Sequence, residues 1–356
     1  MKRALIAMSG GVDSSVAAYL MKRQGFDCTG ATMRLFDNEA AGTCGEGACR
    51  PLDEAEDARR VAVSLGMPFL LFDFGDDFKN LVTSRFAESY LRGETPNPCI
   101  NCNRFLKFGK LLRCARELGM DCMATGHYAR VEADAGSGRL ILKKGADLSK
   151  DQSYVLYALT QEQLGAAVFP LGGLSKSQVR EIAAELGFAN SKKRDSQDIC
   201  FVRDGDYAGF IRQCAGGDLP KGRFEDTEGN DLGENKGIVH YTIGQRRGLG
   251  LSAAEPMYVC AISAENNTVT VGVSSELYGK RLVARDINLI PVSRLDAPVR
   301  IRAKIRYRQQ EQPATVWQTA PDTLEVEFDS PQRAITKGQA VVLYDGDAVV
   351  GGGTIV

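Results

Sequence analysis

Apolar positions in the first 130 residues follow two rhythms. Strand-like runs lie at 4–8, 28–33, 69–73 and 122–125, the first an apolar run that reads as a buried strand. Between them, Ala58, Val61, Ala62 and Leu65, and then Phe108, Leu111, Leu112 and Ala115, keep the i, i+3, i+4, i+7 spacing of helices with one apolar face. Gly66 and Gly119 follow these stretches as C-cap residues do. This alternation predicts an α/β domain with a mostly parallel sheet, whose ligand crevice lies at the carboxyl ends of the strands. A later helix is predicted at 175–186, where Ser175 and Gln178 make a capping box and Val179, Ile182, Ala183 and Leu186 share one face. Gly216-Gly217 and the polar stretch 225–236 read as a boundary. Beyond about 256 the rhythm shortens to β-type runs at 258–262, 268–273, 299–305, 314–317, 324–328, 340–344 and 348–355, the last broken by three glycines. Runs of this kind predict a small barrel or sandwich.

Composition narrows the class. A chain of 356 residues is expected to form two or three domains. With 44% apolar and 25% charged residues it has the make-up of a globular protein without a membrane-spanning run. Met1-Lys2-Arg3 precedes an apolar run too short for a signal-peptide core, so a cytoplasmic location and no membrane partner are expected. Lys and Arg (44) nearly cancel Asp and Glu (45), so any polyanion must be held by local patches such as Lys192-Lys193-Arg194 and Arg246-Arg247. Ten cysteines in such a chain read as buried thiols, metal ligands or catalytic groups rather than as disulfides.

Two stretches carry candidate chemistry. Ser9-Gly10-Gly11-Val12-Asp13-Ser14-Ser15 lies between a predicted strand and a predicted helix. Its glycines let backbone approach a phosphate, and the free N–H groups of the helix start and three serine hydroxyls supply donors. It has neither the Lys of a P-loop nor the G-x-G-x-x-G of a dinucleotide fold, and an ordinary Gly-Ser turn is the plain alternative. The second stretch, Thr95-Pro96-Asn97-Pro98-Cys99-Ile100-Asn101-Cys102-Asn103, sets a Cys-x-x-Cys before a helix expected to start at about Asn103, where the dipole favours thiolate. Redox, metal-binding and half-buried structural thiols all remain open for such a pair. His127 follows Gly126 at a predicted strand end, whereas His240, Cys114, Cys122 and Cys260 read as packing residues. Cys28, Cys44 and Cys49 match no metal spacing.

The SGGVDSS loop at 9–15 resembles that of the N-type ATP pyrophosphatases. Together with TPNPCINCN at 95–103, ATGHYAR at 124–130, KDQSYVLY at 150–157, FPLGGLSKSQVR at 169–180, DSQDICF at 195–201, YTIGQRRGLG at 241–250 and IRYRQ at 305–309, it makes the whole chain resemble the tRNA-specific 2-thiouridylase family. That resemblance implies a PP-loop ATP pyrophosphatase catalytic domain (1–205), a small central tRNA-binding domain (206–275) and a C-terminal tRNA-binding β-barrel (276–356). It implies adenylation of O2 of the wobble uridine and displacement of AMP by sulfur. ATP would be held by Ala7, Met8, Ser9, Gly10, Gly11, Val12, Asp13, Ser14, Met33 and Gly126, with Mg2+ and with Asp13 near the phosphates. Cys102 would be the nucleophile and Cys200 the persulfide carrier, loaded by a sulfur-donor protein such as a cysteine desulfurase or sulfur carrier. Asn97, Pro98 and Cys99 would face the target base, and His127, Lys150, Asp151, Gln152, Arg306, Tyr307 and Gln339 would contact tRNA. Many family members carry Asp where this chain has Cys99. The change makes a three-thiol set, Cys99, Cys102 and Cys200, which suits a [4Fe–4S] cluster with one open iron as an alternative to the persulfide relay. The rival functions are a PP-loop amidating synthetase acting on a small molecule and a non-catalytic iron–sulfur or RNA-binding protein. The oligomeric state is not legible.

Overall fold

The computed structural model describes residues 1–36, 51–191, 193, 199–202 and 205–356, with backbone alone at 51–53. Residues 37–50 with Cys44 and Cys49, and Lys192, Arg194 and residues 195–198 of the basic and DSQDICF motifs, lie outside the described residues. The chain forms two compact units. One is drawn from Met1–Val82, Cys99–Gln197 and Gly346–Val350, the other from Thr83–Pro98, Asp198–Asp345 and Gly351–Val356.

In the first unit, strands β1 (Arg3–Ala7), β2 (Asp27–Arg34), β3 (Phe69–Asp73) and β4 (Cys122–Thr125) form at the predicted apolar runs. A hairpin of β5 (Ala129–Ala133) and β6 (Leu140–Lys144) follows, then the short β7 (Ala167–Val168). The sheet order is β3-β2-β1-β4-β7, and every pairing in it is parallel. Ala4, Leu5 and Ile6 of β1 are fully buried because helices cover both faces. Val16, Ala17 and Met21 of helix α1 (Val12–Arg23) share a core with Ala58 and Ala62 of α2 (Pro51–Ser64). Val179, Ala183 and Phe188, in and just after the helix Lys176–Glu185, join the same core. Since β1 has β2 on one side and β4 on the other, its carboxyl end is the switch point at which a crevice opens in such sheets. Gly66 (φ 62°) and Gly119 (φ 71°) take the left-handed conformation expected of helix C-caps. Ser175 closes the predicted capping box with Gln178.

The second unit holds a four-stranded sheet and a closed barrel. The sheet runs β10-β11-β8-β9, from β8 (Gly222–Glu225), β9 (Asp231–Asn235), β10 (Tyr258–Ser263) and β11 (Thr268–Gly272). The barrel runs β12-β15-β14-β13-β16-β17, from β12 (Tyr278–Leu289), β13 (Val299–Lys304), β14 (Gln312–Ala320), β15 (Thr323–Arg333), β16 (Ala340–Asp345) and β17 (Ala348–Ile355), and is closed by pairing of β12 with β17. The polar stretch expected to be a boundary instead holds β9, a sheet-edge strand whose exposed faces leave no apolar signal. The three glycines of the last strand do not break it. A Cβ at Gly351 would strike the Asn288 backbone, and one at Gly353 would lie 3.0 Å from the Arg285 carbonyl oxygen, so these residues allow β17 to close on β12. A second core joins Phe86 and Tyr90 of the helix Ser84–Leu91 to Val202, Ile211, Phe224, Val259 and Val271.

Candidate active site

The serine–glycine loop leaves the carboxyl end of β1 and becomes α1 within five residues. Gly10 has φ 71°, and a Cβ there would overlap the Glu54 carbonyl oxygen, so the turn requires glycine twice over. Met8 is held in line by its N–H to Ala31 O (2.8 Å) and by Thr32 Oγ1 donating to its carbonyl (2.7 Å). The serine hydroxyls organise the turn from inside. Ser14 Oγ and Ser15 Oγ each donate to Gly11 O at 3.0 Å, and Ser9 N–H donates to Ser14 Oγ at 3.1 Å. Gly11 is the N-cap of α1 and no side chain caps the helix, so its first-turn N–H groups are left for a ligand. Gly126, just after β4, abuts this helix start: a Cβ there would lie 2.7 Å from Ser14 N. Ala7 and Met33 belong to the same parallel strands, Met33 half-buried near the carboxyl end of β2. The structure thus gathers the predicted nucleotide residues around the carboxyl end of β1.

Three residues that motif reading left without a role complete the loop's surroundings. Lys176 Nζ lies 2.7 and 2.8 Å from the two carboxylate oxygens of Asp13. The buried Tyr128 donates its hydroxyl to Asp13 Oδ1 at 2.8 Å. Asn190, 5% exposed, donates through Nδ2 to Gly10 O (3.0 Å) and to Ser15 Oγ (2.9 Å). Tyr128 and Lys176 both sit in motifs quoted above, whereas Asn190 lies beyond the predicted helix and had no sequence signal.

Cys99 and Cys102 do not precede a helix starting at Asn103. A helical turn at Pro98–Asn101 runs into a π-helical segment, Cys102–Leu111, an uncommon geometry that is enriched at functional sites. Burial raises both thiols above their ordinary range, and for Cys99 the neighbouring Cys102 adds to this, while Lys107 acts the other way on each. Desolvation thus acts against the thiolate that a helix start would favour. Cys99 retains exposed surface and Cys102 is partly exposed. His127 is buried, with Nδ1 2.6 Å from Thr125 Oγ1 and its ring packed near Phe108 and Phe169. Burial, followed by Lys107, holds its pKa well below 6.5. The Lys107 charge reaches Cys99, Cys102 and His127, and His127 adjoins Gly126 at the glycine loop. Phe108, on the segment that opens at Cys102, packs 6.1 Å from the His127 ring, so that segment lies against the strand end whose Gly126 abuts the loop.

Asp151 is buried and accepts from Gly145 N, Ser153 N and Ser153 Oγ, so it shapes its own turn. Gln152 accepts from Tyr128 N at 3.0 Å and donates its own N–H to Tyr128 O, and Lys150 is half-exposed beside them. In the second unit, Cys200 is exposed on a turn anchored by Phe201, whose ring meets Phe86 edge-on at 5.2 Å. Arg306 Nη2 donates to Ala334 O and Thr336 Oγ1, while Tyr307 keeps 37% of its surface exposed. Gln339 Nε2 donates to Thr95 O at 2.7 Å, and Thr95 N–H donates to Lys337 O, which fixes the approach to half-buried Asn97 and buried Pro98. Arg246 and Arg247 are exposed, and Lys193 is paired with Glu54 and Asp57. Cys28 is buried, its thiol pushed up to about 11 mainly by that burial.

Among the described residues no three His, Cys, Asp or Glu side chains are grouped to hold a metal ion. Cys99 and Cys102 supply two thiols, which do not by themselves fit a cluster. Asp13 is engaged by Lys176 and Tyr128, which makes it a poor direct ligand for Mg2+. None of the described helices is long and apolar enough to cross a membrane.

A family model described as the tRNA methyl transferase HUP domain matches residues 2–204. The tRNA methyl transferase PRC-barrel domain matches 209–273 and the aminomethyltransferase beta-barrel domain matches 279–355. The tRNA-specific 2-thiouridylase MnmA of Clostridioides difficile (strain 630) is 50% identical over 354 residues, covering 99% of this chain and 98% of that protein. The tRNA-specific 2-thiouridylase MnmA 1 of Thermoanaerobacter sp. (strain X514) is 51% identical over 354 residues, covering 99% and 97%. The tRNA-specific 2-thiouridylase MnmA of Acetivibrio thermocellus is 48% identical over 355 residues, covering 99% of each chain.

Proposed function

The chain belongs to the tRNA-specific 2-thiouridylase family, and from that premise we propose that it thiolates C2 of the wobble uridine of tRNA at the expense of ATP. The observation that carries this reading is an uncapped, glycine-turned helix start at the carboxyl end of the parallel sheet, in the same unit as the Cys99–Cys102 thiol pair. A uridine carbonyl is a poor electrophile. Attack of O2 on the α-phosphate of ATP makes the oxygen an adenylate and releases pyrophosphate, which the loop N–H groups stabilise as it leaves. Sulfur then attacks C2 and AMP departs. Mg2+ belongs with the triphosphate, where it would offset phosphate charge. The words "methyl transferase" in two family descriptions fit less well, since an anion-receiving helix start suits adenylation and a thiol pair suits the sulfur attack that follows it.

For the sulfur, the reading is a persulfide on Cys200 with Cys102 as the second thiol. The exposure of Cys200 on an anchored turn supports loading by a sulfur-donor protein. The terminal persulfide sulfur forms the bond to C2 as AMP leaves. Cys102 thiolate then attacks Cys200 Sγ, releasing 2-thiouridine and leaving a Cys102–Cys200 disulfide for an external thiol to reduce. Exposed Arg246, Arg247 and Tyr307 are tRNA contacts in this reading, with salt-sensitive affinity. A cytoplasmic location agrees with a tRNA substrate.

The test is mass spectrometry of nucleosides from unmodified tRNA incubated with ATP, Mg2+ and a persulfide donor, using metal-free protein and protein reconstituted with iron and sulfide. Thiolation by the metal-free sample that is lost in both Cys102→Ser and Cys200→Ser supports the relay. Thiolation only after reconstitution, lost in Cys99→Ser as well, replaces the relay with the cluster. No 2-thiouridine in either sample, against an active control, refutes the function.

A further inference from the structure

The direction of one peptide decides whether the glycine loop can receive an anion. The Gly10–Gly11 peptide is planar and trans, so its C=O and N–H point in opposite directions. With Gly10 at φ 71° and no side chain on either residue, little within the turn itself resists rotation of that peptide. A rotated peptide would face its carbonyl oxygen toward an incoming phosphate. We propose that Asn190 is a positioning residue for the reaction: by holding Gly10 O it fixes the Gly11 N–H on the opposite, phosphate-facing side.

The geometry is specific. Nδ2 gives one proton to Gly10 O at 3.0 Å and the other to Ser15 Oγ at 2.9 Å, and Ser15 Oγ gives its own proton to Gly11 O at 3.0 Å. Both carbonyl oxygens of the turn are thereby drawn to the inner side, where neither repels a phosphate. The amide orientation is not arbitrary, because a flipped amide would set Oδ1 against Gly10 O, acceptor against acceptor. In the observed orientation Oδ1 is buried without a hydrogen-bond partner among the described residues. An asparagine 5% exposed that leaves its acceptor unused is retained for its two donors. Placement is equally firm. Phe188 packs in the core, its N–H bonded to Ala183 O, and Ser191 N–H bonds Phe188 O, so Asn190 sits in a fixed turn after the helix Lys176–Glu185.

The inference rests on the loop being the pyrophosphate site, and the experiment separates the two. Calorimetric titration of the full chain with inorganic pyrophosphate, MgATP and adenosine is compared for wild type, Asn190→Asp and Asn190→Ala. Aspartate matches asparagine in shape but cannot donate, and it brings an acceptor against Gly10 O. Pyrophosphate and MgATP should weaken roughly ten- to a hundredfold in Asn190→Asp and less in Asn190→Ala, as expected for losing donors that orient a charged hydrogen bond. Adenosine, which needs no phosphate donor, should change less than about twofold, and a merely structural lesion would not spare it. Equal pyrophosphate affinity in wild type and Asn190→Asp, or parallel loss of adenosine, overturns the proposal. Should Asn190→Asp not fold, the smaller Asn190→Ala carries the same comparison. Failure of wild type to bind pyrophosphate or MgATP overturns the loop assignment itself.

Discussion

Replacing Gly126 by alanine tests whether β4 and the start of α1 meet as described. A Cβ at 126 would sit 2.7 Å from Ser14 N, 2.8 Å from Asp13 C and 3.1 Å from Asp13 Cβ. The closest approach is about 0.7 Å short of the 3.4 Å at which ordinary contact begins, and the nearest two atoms are backbone, which cannot rotate away. Gly126 is not at positive φ, so the effect is steric rather than conformational. Overpacking of this kind costs about 1–3 kcal/mol. For a unit of this size that corresponds to roughly 2–4 °C of melting temperature per kcal/mol. Relief comes by moving the first turn of α1, the turn whose N–H groups face the phosphates, so MgATP affinity should fall about tenfold or more. Differential scanning calorimetry and MgATP titration read the two effects. Gly173→Ala is the control: no atom lies within 4 Å of its Cβ position and its φ is not positive, so it should match wild type or gain up to about 1 kcal/mol. Should Gly126→Ala melt with wild type and bind MgATP equally, the reasoning is refuted.

Lys176→Met should destabilise the protein by about 1–3 kcal/mol in urea unfolding, below the cost for a fully buried pair because Asp13 keeps some solvent. Adding Asp13→Asn should recover part of that loss, and additive effects would count against the pairing. His127 gives an acid limb: it stays neutral when folded, whereas the unfolded chain binds a proton near pH 6.5. Its contribution is therefore intact above that pH and lost as pH falls, at up to about 1.4 kcal/mol per unit, and His127→Gln should flatten this slope in pH-dependent melts. Since burial raises the Cys102 thiol, single-turnover thiolation should quicken about tenfold per pH unit between pH 7 and 9, and a flat profile would show that its thiolate is not needed.

The parallel strands were legible because a short apolar run bounded by glycine or polar residues has few other readings; β3 and β4 start and end where the pattern places them, although β3 lies at the sheet edge with Leu71 exposed. β12 was not, since Lys280, Arg281 and Arg285 flank the buried Leu282 and Ala284, and charge masks the alternation. The β5–β6 hairpin was lost for the same reason. At the site, local signals sufficed for the loop and for the thiol pair. They failed for Lys176 and Asn190, which act on the loop from 163 and 175 residues away and become neighbours only when the sheet and its helices assemble. For Cys99 and Cys102 a helix start is visible in sequence, whereas the desolvation that raises both thiols is a property of the packed state.

The pairing of Asp13 resolves a conflict built into the loop. A carboxylate in the first turn of α1 is favoured by the helix dipole, but the same end of the helix is needed for a polyanion. Two unit charges about 4 Å apart at a protein surface repel by roughly 4 kcal/mol, more than the dipole returns. Lys176 removes that repulsion by meeting both oxygens of Asp13, and Tyr128 adds a third donor. Lys176 opens the helix Lys176–Glu185, and Asn190 follows its end, so one helix brings a cation to the acidic residue and an amide to the glycine carbonyl. Its apolar face, through Val179 and Ala183, is packed in the core shared with α1. The donors of the loop are therefore held by the same packing that stabilises the sheet, and little reorganisation is left for the moment when pyrophosphate charge develops.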